Sequence, residues 1–289
     1  MPKQLIVNAD DYGRTPGVAQ GILQGHRQGI ITSSTAMMNM PGIEQSLRQA
    51  RREPGLGLGV HLVFTALRPI LPSEQVPSLV DDQGNFLEAH VWQTCLDRMN
   101  LDDLWAEAQA QIALFRRLAG EPDHIDCHHF IHLYPPIFEV YLRLARDAGL
   151  PARVPFSDSS GENQKDAEAI AFGDSFGIGP EVVQTMLAAD RALLDKCPVA
   201  HPDTFRSGFY GDENLTLENV LSLLEGLPQG VSELMVHPGL ADDELRSASG
   251  YSWQRERELE LLCHLAVKER LAALHITLTT YQVLMTRAA

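Results

Sequence analysis

The chain has 289 residues, of which 44% are hydrophobic and 21% are charged, and this composition is typical of a globular protein with a large core. The formal net charge is −15 and the sequence pI is about 5.1. Because no run of basic residues occurs, the acidity argues against nucleic acid or an anionic membrane as a partner.

Four cysteines are scattered along the chain without a Cys-x-x-Cys pair, which argues against a structural zinc knuckle. Such isolated thiols are typical of reduced, cytosolic proteins. The N-terminus enters the apolar segment Leu5–Val7 without a secretory signal pattern. No stretch approaches the roughly 18 apolar residues of a membrane span. We therefore expect a cytoplasmic protein.

Short apolar strands alternate with amphipathic helices. Strands are predicted at residues 4–9, 31–38, 58–63, 124–127, 152–154, 233–236 and 276–281. Helices are predicted from Thr15-Pro16 to Gly29 and over 43–52, 101–118, 136–148, 216–224 and 252–274. This alternation predicts one parallel α/β domain over residues 1–289, of a length suited to a β/α barrel.

Two segments lack clear periodicity. Prolines at positions 69, 72 and 77 interrupt residues 65–100, which predicts an insert over the barrel mouth. Residues 156–209 show little periodicity, and we expect a second insert or a lid there.

Asp10 and Asp11 directly follow the first predicted strand. Adjacent carboxylates on a strand point to opposite sides, but a turn at its end brings both to one cavity. One carboxylate then binds a cation while the other stays free as a base. Alternatively, one of them caps the following helix.

Histidines mark the ends of two further strands. His61 lies in the apolar strand at 58–63, and His128, His129 and His132 follow the strand at 124–127. His128 and His132 share a face if a helix begins there. Imidazole and carboxylate ligands suit zinc, iron, nickel or manganese and leave coordination positions open. The alternatives are a core histidine at 61 and a solvated histidine patch.

His237 precedes Pro238-Gly239, a turn signal that places this side chain at the mouth of a barrel. Its ordinary pKa suits a general acid near neutral pH. The alternative is a loop histidine without a catalytic role.

Four motifs resemble, in their order along the chain, those of the YdjC-like carbohydrate deacetylases. They are Asn8-Ala-Asp-Asp-Tyr-Gly13, Gly59-Val-His61-Leu, Asp126-Cys-His128 and Val236-His237-Pro238. The resemblance extends from Leu5 to about Tyr281. It implies a distorted TIM-like barrel that removes acetyl groups from N-acetylated sugars such as chitooligosaccharides.

The resemblance also implies a role for each matching residue. Asp11, His61 and His128 correspond to the metal ligands, Asp10 to the general base and His237 to the general acid. Family members use magnesium, whereas the ligand types alone favour zinc. Arg153 is expected to orient Asp10, or else to be a surface arginine. A homodimer is also implied.

The family pattern Asp-Ser-His-x-His-x-His is altered here, since Cys127 replaces the serine and Phe130 replaces the middle histidine. The second change is expected to alter which sugar fits. Substrate contacts are predicted for Tyr12, Phe130, His132 and Tyr210, with Tyr134 and Phe209 as further aromatic candidates.

The implied reaction is attack on the acetamide carbonyl by a metal-activated water, with proton transfers by Asp10 and His237. A metal-dependent hydrolase of another amide or ester, including a lipid-linked amino sugar, fits the same residues. A non-catalytic sugar-binding protein on the same scaffold is a third hypothesis, which the intact pair of aspartates disfavours.

Overall fold

A parallel sheet of seven strands forms the centre of the protein in the computed structural model, which describes residues 2–155 and 178–285. In chain order the strands are β1 (Lys3–Tyr12), β2 (Ser33–Met37), β3 (Gly57–Leu62), β4 (Ile125–Cys127), β5 (Thr204–Arg206), β6 (Gly230–Val236) and β7 (Thr277–Leu278).

The helices of the described residues lie between these strands. They are α1 (Pro16–Gln28), α2 (Ile43–Ala50), α3 (Ala89–Cys95), α4 (Leu101–Ala119), α5 (Pro135–Ala148), α6 (Pro180–Lys196), α7 (Leu217–Glu225), α8 (Asp243–Ala248), α9 (Trp253–Leu262), α10 (Leu265–Ala273) and α11 (Gln282–Met285). Thr15 caps α1 by accepting from the Val18 amide, and Thr216 caps α7 by accepting from the Asn219 amide. No helix in the described ranges has the length and apolar character needed to cross a membrane.

The strand order is β4-β3-β2-β1-β6-β5, and β7 pairs with the beginning of β1. Every pairing is parallel, so the carboxyl ends of the strands meet at one edge of the sheet. Between β4 and β5, Ala152 bridges Ile125 and donates its amide to the Ala200 carbonyl at 2.9 Å. The domain is therefore a distorted β/α barrel, in which the strand predicted at 152–154 is reduced to an isolated bridge.

The long helix predicted at 252–274 is wrong, because the chain forms two helices there. α9 ends at Leu262, and α10 begins at Leu265. Between them the His264 ring accepts a hydrogen bond from the Ala266 amide at 3.2 Å. This contact caps the start of α10 and explains the interruption.

The segment after β3 is anchored to α4. The Glu107 carboxylate accepts hydrogen bonds from the amides of Ile70 and Leu71, and Asp103 accepts from Ser78. In the second segment predicted as an insert or lid, residues 156–177 lie outside the described residues. Residues 178–209 contain α6, whose buried residues pack onto the core, and β5 of the sheet.

Candidate metal centre

The end of β1 turns so that two adjacent aspartates enter the same buried site. Asp11 has a φ of 66°, and the pairing of β1 with β2 shifts register between Ala9 and Tyr12. Aspartate is among the few non-glycine residues that adopt this left-handed conformation. Asp10 and Asp11 are both almost fully buried. The predicted convergence of the two carboxylates is confirmed.

Three side chains from three strand ends meet at this point. Oδ1 of Asp11 lies 3.3 Å from Nε2 of His61 and 3.1 Å from Nδ1 of His128. The two imidazole nitrogens are 3.2 Å apart. These residues form one of the groups whose geometry suits a metal ion.

The donor set fits a divalent cation. Metal–ligand distances of about 2.0–2.2 Å place neighbouring ligand atoms roughly 3.0–3.6 Å apart, which matches this triangle. Oδ1 of Asp11 is buried and has no hydrogen-bond donor among the described residues. Nδ1 of His61 lies 2.7 Å from Oδ1 of Asp126. This contact keeps a proton on Nδ1 and directs Nε2 towards the triangle, where it can act as a ligand once its own proton has left.

A second group with metal-ligand geometry contains Asp10, His61 and Asp126, but its carboxylates already have partners. Arg153 donates to both oxygens of Asp10, at 2.6 and 2.7 Å. Oδ2 of Asp126 accepts from the Thr35 hydroxyl at 2.9 Å. The group around Asp11 is therefore the better candidate for a cation.

Electrostatics at the triangle favour positive charge. Burial lowers the pKa of His61, but the carboxylates of Asp126 and Asp11 outweigh it and raise the pKa to about 10. For His128, burial dominates and lowers the pKa to about 4, so this imidazole is neutral at pH 7. Burial also raises the pKa of Asp11, yet Arg255 and His128 hold it well below its usual range. In the metal-free protein His61 is therefore cationic at pH 7, so a cation would have to displace its Nε2 proton and would then meet the Asp11 carboxylate and two neutral imidazoles.

Asp10 belongs to a fully buried ion-pair network. The network includes Arg153, the residue expected to orient Asp10. Besides its two bonds to Asp10, Arg153 lies 2.7 Å from Oε1 of Glu233 and 3.1 Å from Oδ2 of Asp126. Tyr281 donates its hydroxyl to Glu233 at 2.5 Å. Arg153 is 0% exposed, so the alternative of a surface arginine is wrong.

His237 follows β6 and faces Asp10 across the site. Its Nε2 lies 3.9 Å from Oδ2 of Asp10. Burial lowers the pKa of His237 to about 4, so its ordinary value, on which the acid role was predicted, does not apply in the folded chain. The loop is fixed by close packing, because a Cβ at Gly21 of α1 would lie 2.6 Å from the backbone of Gly239.

Two of the residues predicted to contact substrate lie elsewhere. Tyr12 is fully buried, and its hydroxyl donates to the Ser46 carbonyl at 2.7 Å, so it packs the core. His132 is also buried, with its ring 4.6 Å from that of Tyr141. The φ angles of His129 and Phe130 are positive, 56° and 51°, and this kink breaks the helical spacing that was to bring His128 and His132 to one face.

Of the aromatic candidates, Tyr210 has the largest exposed surface. Tyr134 and Phe209 are buried, and Phe130 is partly buried against Phe205, with ring centroids 6.0 Å apart. Tyr210 is 48% exposed, and its ring centroid lies 5.3 Å from that of His237. Its ring stacks on Tyr251 at 4.5 Å. Tyr210 thus lies beside the predicted general acid.

Helix α9 contributes two residues that the sequence analysis did not identify. Arg255 donates from Nη2 to Oδ2 of Asp11. Glu258 accepts the backbone amide of His237 at 2.5 Å and the Tyr251 hydroxyl at 2.6 Å. Both lie on the face that also buries Leu259 and Leu262, but charged residues surround the whole helix, so the sequence does not distinguish these two from solvated ones.

The family model described as YdjC-like protein matches residues 4–273. A carbohydrate deacetylase from Enterococcus faecalis is 36% identical over 98% of both chains. A chitooligosaccharide deacetylase from Proteus mirabilis is 34% identical over 99% of this chain and all of the relative.

A crystal structure from Enterococcus faecalis, described as that of a putative cellobiose-phosphate cleavage protein, superposes with a TM-score of 0.81. The two chains are 34% identical, and the match covers 98% of this chain and 99% of the other. Family model, curated relatives and solved structure agree over nearly the whole length. The chain belongs to the YdjC-like family.

Proposed function

We propose that this protein is a metal-dependent carbohydrate N-deacetylase that hydrolyses the acetamide of a chitooligosaccharide or a related N-acetylated amino sugar. The observation that carries the proposal is the meeting of Asp11, His61 and His128 within 3.3 Å of one another, with Asp10 beside them. The names of the relatives from Enterococcus faecalis and Proteus mirabilis support the same reaction.

Asp11, His61 and His128 would hold one divalent cation. When bound, such an ion supplies Lewis-acid stabilisation of the charge that develops on the carbonyl oxygen and lowers the pKa of water. The ligand types favour zinc, whereas the family resemblance favours magnesium. Metal analysis distinguishes these two assignments.

Asp10 is the proposed general base. Its carboxylate is held at both oxygens by Arg153, and Oδ1 also accepts from the Asn8 amide at 2.9 Å. These contacts fix its orientation beside the triangle, so Asp10 is aligned to accept a proton from the attacking water. A positioned base of this kind typically contributes about 10²–10⁴-fold to the rate.

His237 is the proposed general acid. Because its pKa is lowered to about 4, it is neutral at pH 7 and must gain a proton during turnover. Asp10 is 3.9 Å away and receives a proton in the first step, so it can supply that proton. His237 then protonates the departing amine, which is a very poor leaving group as an anion.

The position of His237 also orients the sugar. The acetyl group lies towards the ligand triangle, and the amine lies towards Nε2 of His237. The ring that carries this amine therefore lies on the same side as the exposed face of Tyr210. Aromatic faces pack well against sugar rings, so Tyr210 is the proposed stacking partner.

The test is a screen for acetate release. Purified protein that has not met a chelator is incubated with N-acetylglucosamine, diacetylchitobiose, longer chitooligosaccharides, simple N-acetyl amines and acetate esters, while its metal content is measured. The proposal predicts acetate from N-acetylated sugars and close to one ion per chain. Release only from esters or non-sugar amides contradicts it. Cytoplasmic location and a homodimer stay predictions.

A further inference from the structure

The two carboxylate oxygens of Asp11 have different neighbours. Its backbone is in the left-handed region, with φ at 66°. Oδ1 faces His61 and His128, whereas Oδ2 accepts a hydrogen bond from Arg255 and lies 3.7 Å from Nη1 of Arg14. The carboxylate therefore presents one oxygen to the ligand triangle and the other to guanidinium groups.

Arg255 is itself buried and hydrogen-bonded through Nε and Nη2. It is 3% exposed, and its Nε donates to the Tyr251 carbonyl at 3.2 Å. Its guanidinium carbon lies 5.9 Å from the centroid of the Tyr251 ring. One edge of the guanidinium is thus anchored to backbone at the start of α9, and Nη2 is aimed at Asp11.

The same helix also holds the proposed general acid. Glu258, three residues after Arg255, accepts the amide of His237. One turn of α9 therefore contacts a proposed metal ligand through Arg255 and the backbone of the proposed acid through Glu258. Asp11 and His237 are therefore both held by contacts with one helix.

We propose that Arg255 is a positioning residue for the metal site, which restricts Asp11 to binding a cation through Oδ1 alone. The inference rests on the proposed metal-dependent function. A free carboxylate can bind an ion through one oxygen or both, and a left-handed aspartate has other conformations available. The guanidinium occupies Oδ2 and keeps Oδ1 directed at His61 and His128.

A purely structural ion pair makes a different prediction. Loss of a structural pair lowers the stability of the metal-free protein but leaves the intrinsic metal affinity unchanged. Loss of a partner that orients a metal ligand typically weakens metal binding about 10–100-fold. Metal affinity, rather than activity alone, therefore separates the two roles.

The experiment compares Arg255→Gln and Arg255→Lys with wild type after metal has been stripped. The affinity for Zn²⁺ is measured by competition with a chromophoric chelator, and the thermal midpoint is measured in EDTA. Arg257→Gln is the matched control, because Arg257 lies on the same helix and forms an exposed ion pair with Glu260. It is expected to bind Zn²⁺ as wild type does.

We expect Arg255→Gln to bind Zn²⁺ about 10–100-fold more weakly than wild type. Arg255→Lys keeps a positive charge near Asp11 but loses the planar guanidinium and its several N–H donors, so an intermediate affinity is expected. If Arg255→Gln does not fold, a loss of threefold or more in Arg255→Lys supports the inference. Affinities within twofold of wild type, or tighter, overturn it while the proposed function stands. A wild-type protein that binds neither Zn²⁺ nor Mg²⁺ overturns both.

Discussion

Oδ2 of Asp10 lies 3.9 Å from Nε2 of His237, so the two groups proposed to exchange protons with the substrate face each other inside one buried site. Arg153 fixes Asp10 from one side, and Glu258 fixes the backbone of His237 from the other. This geometry allows a proton accepted by the carboxylate to reach the imidazole without passing through bulk solvent.

Replacing Asp10 with asparagine tests the base directly. Asp10→Asn removes the proton acceptor, but Asp10 is outside the proposed ligand triangle. We expect acetate release to fall by about 10²–10⁴-fold, with metal content near that of wild type. The control is Asp11→Asn, which is expected to lose the metal as well. Wild-type turnover in Asp10→Asn contradicts the assigned role.

Asp126 is expected to tune metal affinity through His61. Asp126→Asn removes the charge that fixes the Nδ1 proton of His61, so Zn²⁺ affinity should fall about 10–100-fold. Asp123→Asn is the matched control, because Asp123 pairs with His124 at 2.6 Å instead. Competition titrations measure both. Equal losses in the two variants count against a specific contribution of Asp126.

Tyr210 is expected to affect substrate binding more than chemistry. Tyr210→Ala removes an aromatic contact worth about 0.5–1.5 kcal/mol, so kcat/KM for diacetylchitobiose should fall roughly two- to thirteenfold, mainly through KM. Tyr210→Phe keeps the ring and should stay near wild type. Hydrolysis of a simple N-acetyl amine provides the comparison. If Tyr210→Ala lowers kcat/KM for that compound by the same factor, Tyr210 does not act by stacking on the sugar.

His132 is expected to make the fold sensitive to acid. Burial lowers its pKa from 6.5 to about 3, and neither ring nitrogen has a hydrogen-bond partner among the described residues. In the unfolded chain the His132 imidazole therefore takes up a proton near pH 6.5, whereas in the folded chain it stays neutral until about pH 3. The free energy of unfolding should be unaffected by His132 above pH 6.5 and should fall as the pH drops towards 3.

Denaturant titrations at pH 7 and pH 4.5 check this expectation. Wild type should lose about 2–3 kcal/mol more between these pH values than His132→Leu, since each pH unit is worth about 1.4 kcal/mol. His90→Leu, at an exposed position, should lose as much as wild type. Equal losses in wild type and His132→Leu contradict the assignment to His132.

The local sequence predicts well those features that one strand or helix determines alone. The apolar runs predict the bounds of β3 and β4 to within one residue, whereas β1, predicted to end at residue 9, runs on to Tyr12. Asp11, His61 and His128 lie at or just after the ends of these strands, and parallel strands bring such ends together. The cap at Thr15 follows from side-chain chemistry over three residues. These features need no knowledge of tertiary packing.

Features that depend on distant packing were missed. Arg255 is 244 residues from Asp11 and lies in a helix rich in charges, which is typical of a solvated surface. The burial of Tyr12 and His132 depends on α2 and α5, and the kink at His129 has no glycine to mark it. Long-range contacts of this kind leave no regular spacing in the chain.

The most direct test of the metal centre is anomalous diffraction from crystals loaded with Zn²⁺ or Mn²⁺. We predict a single strong peak about 2.0–2.2 Å from Oδ1 of Asp11, Nε2 of His61 and Nδ1 of His128, with Arg255 still on Oδ2 of Asp11. A peak between Asp10, His61 and Asp126, or no ordered peak at either group in loaded crystals, would contradict the account.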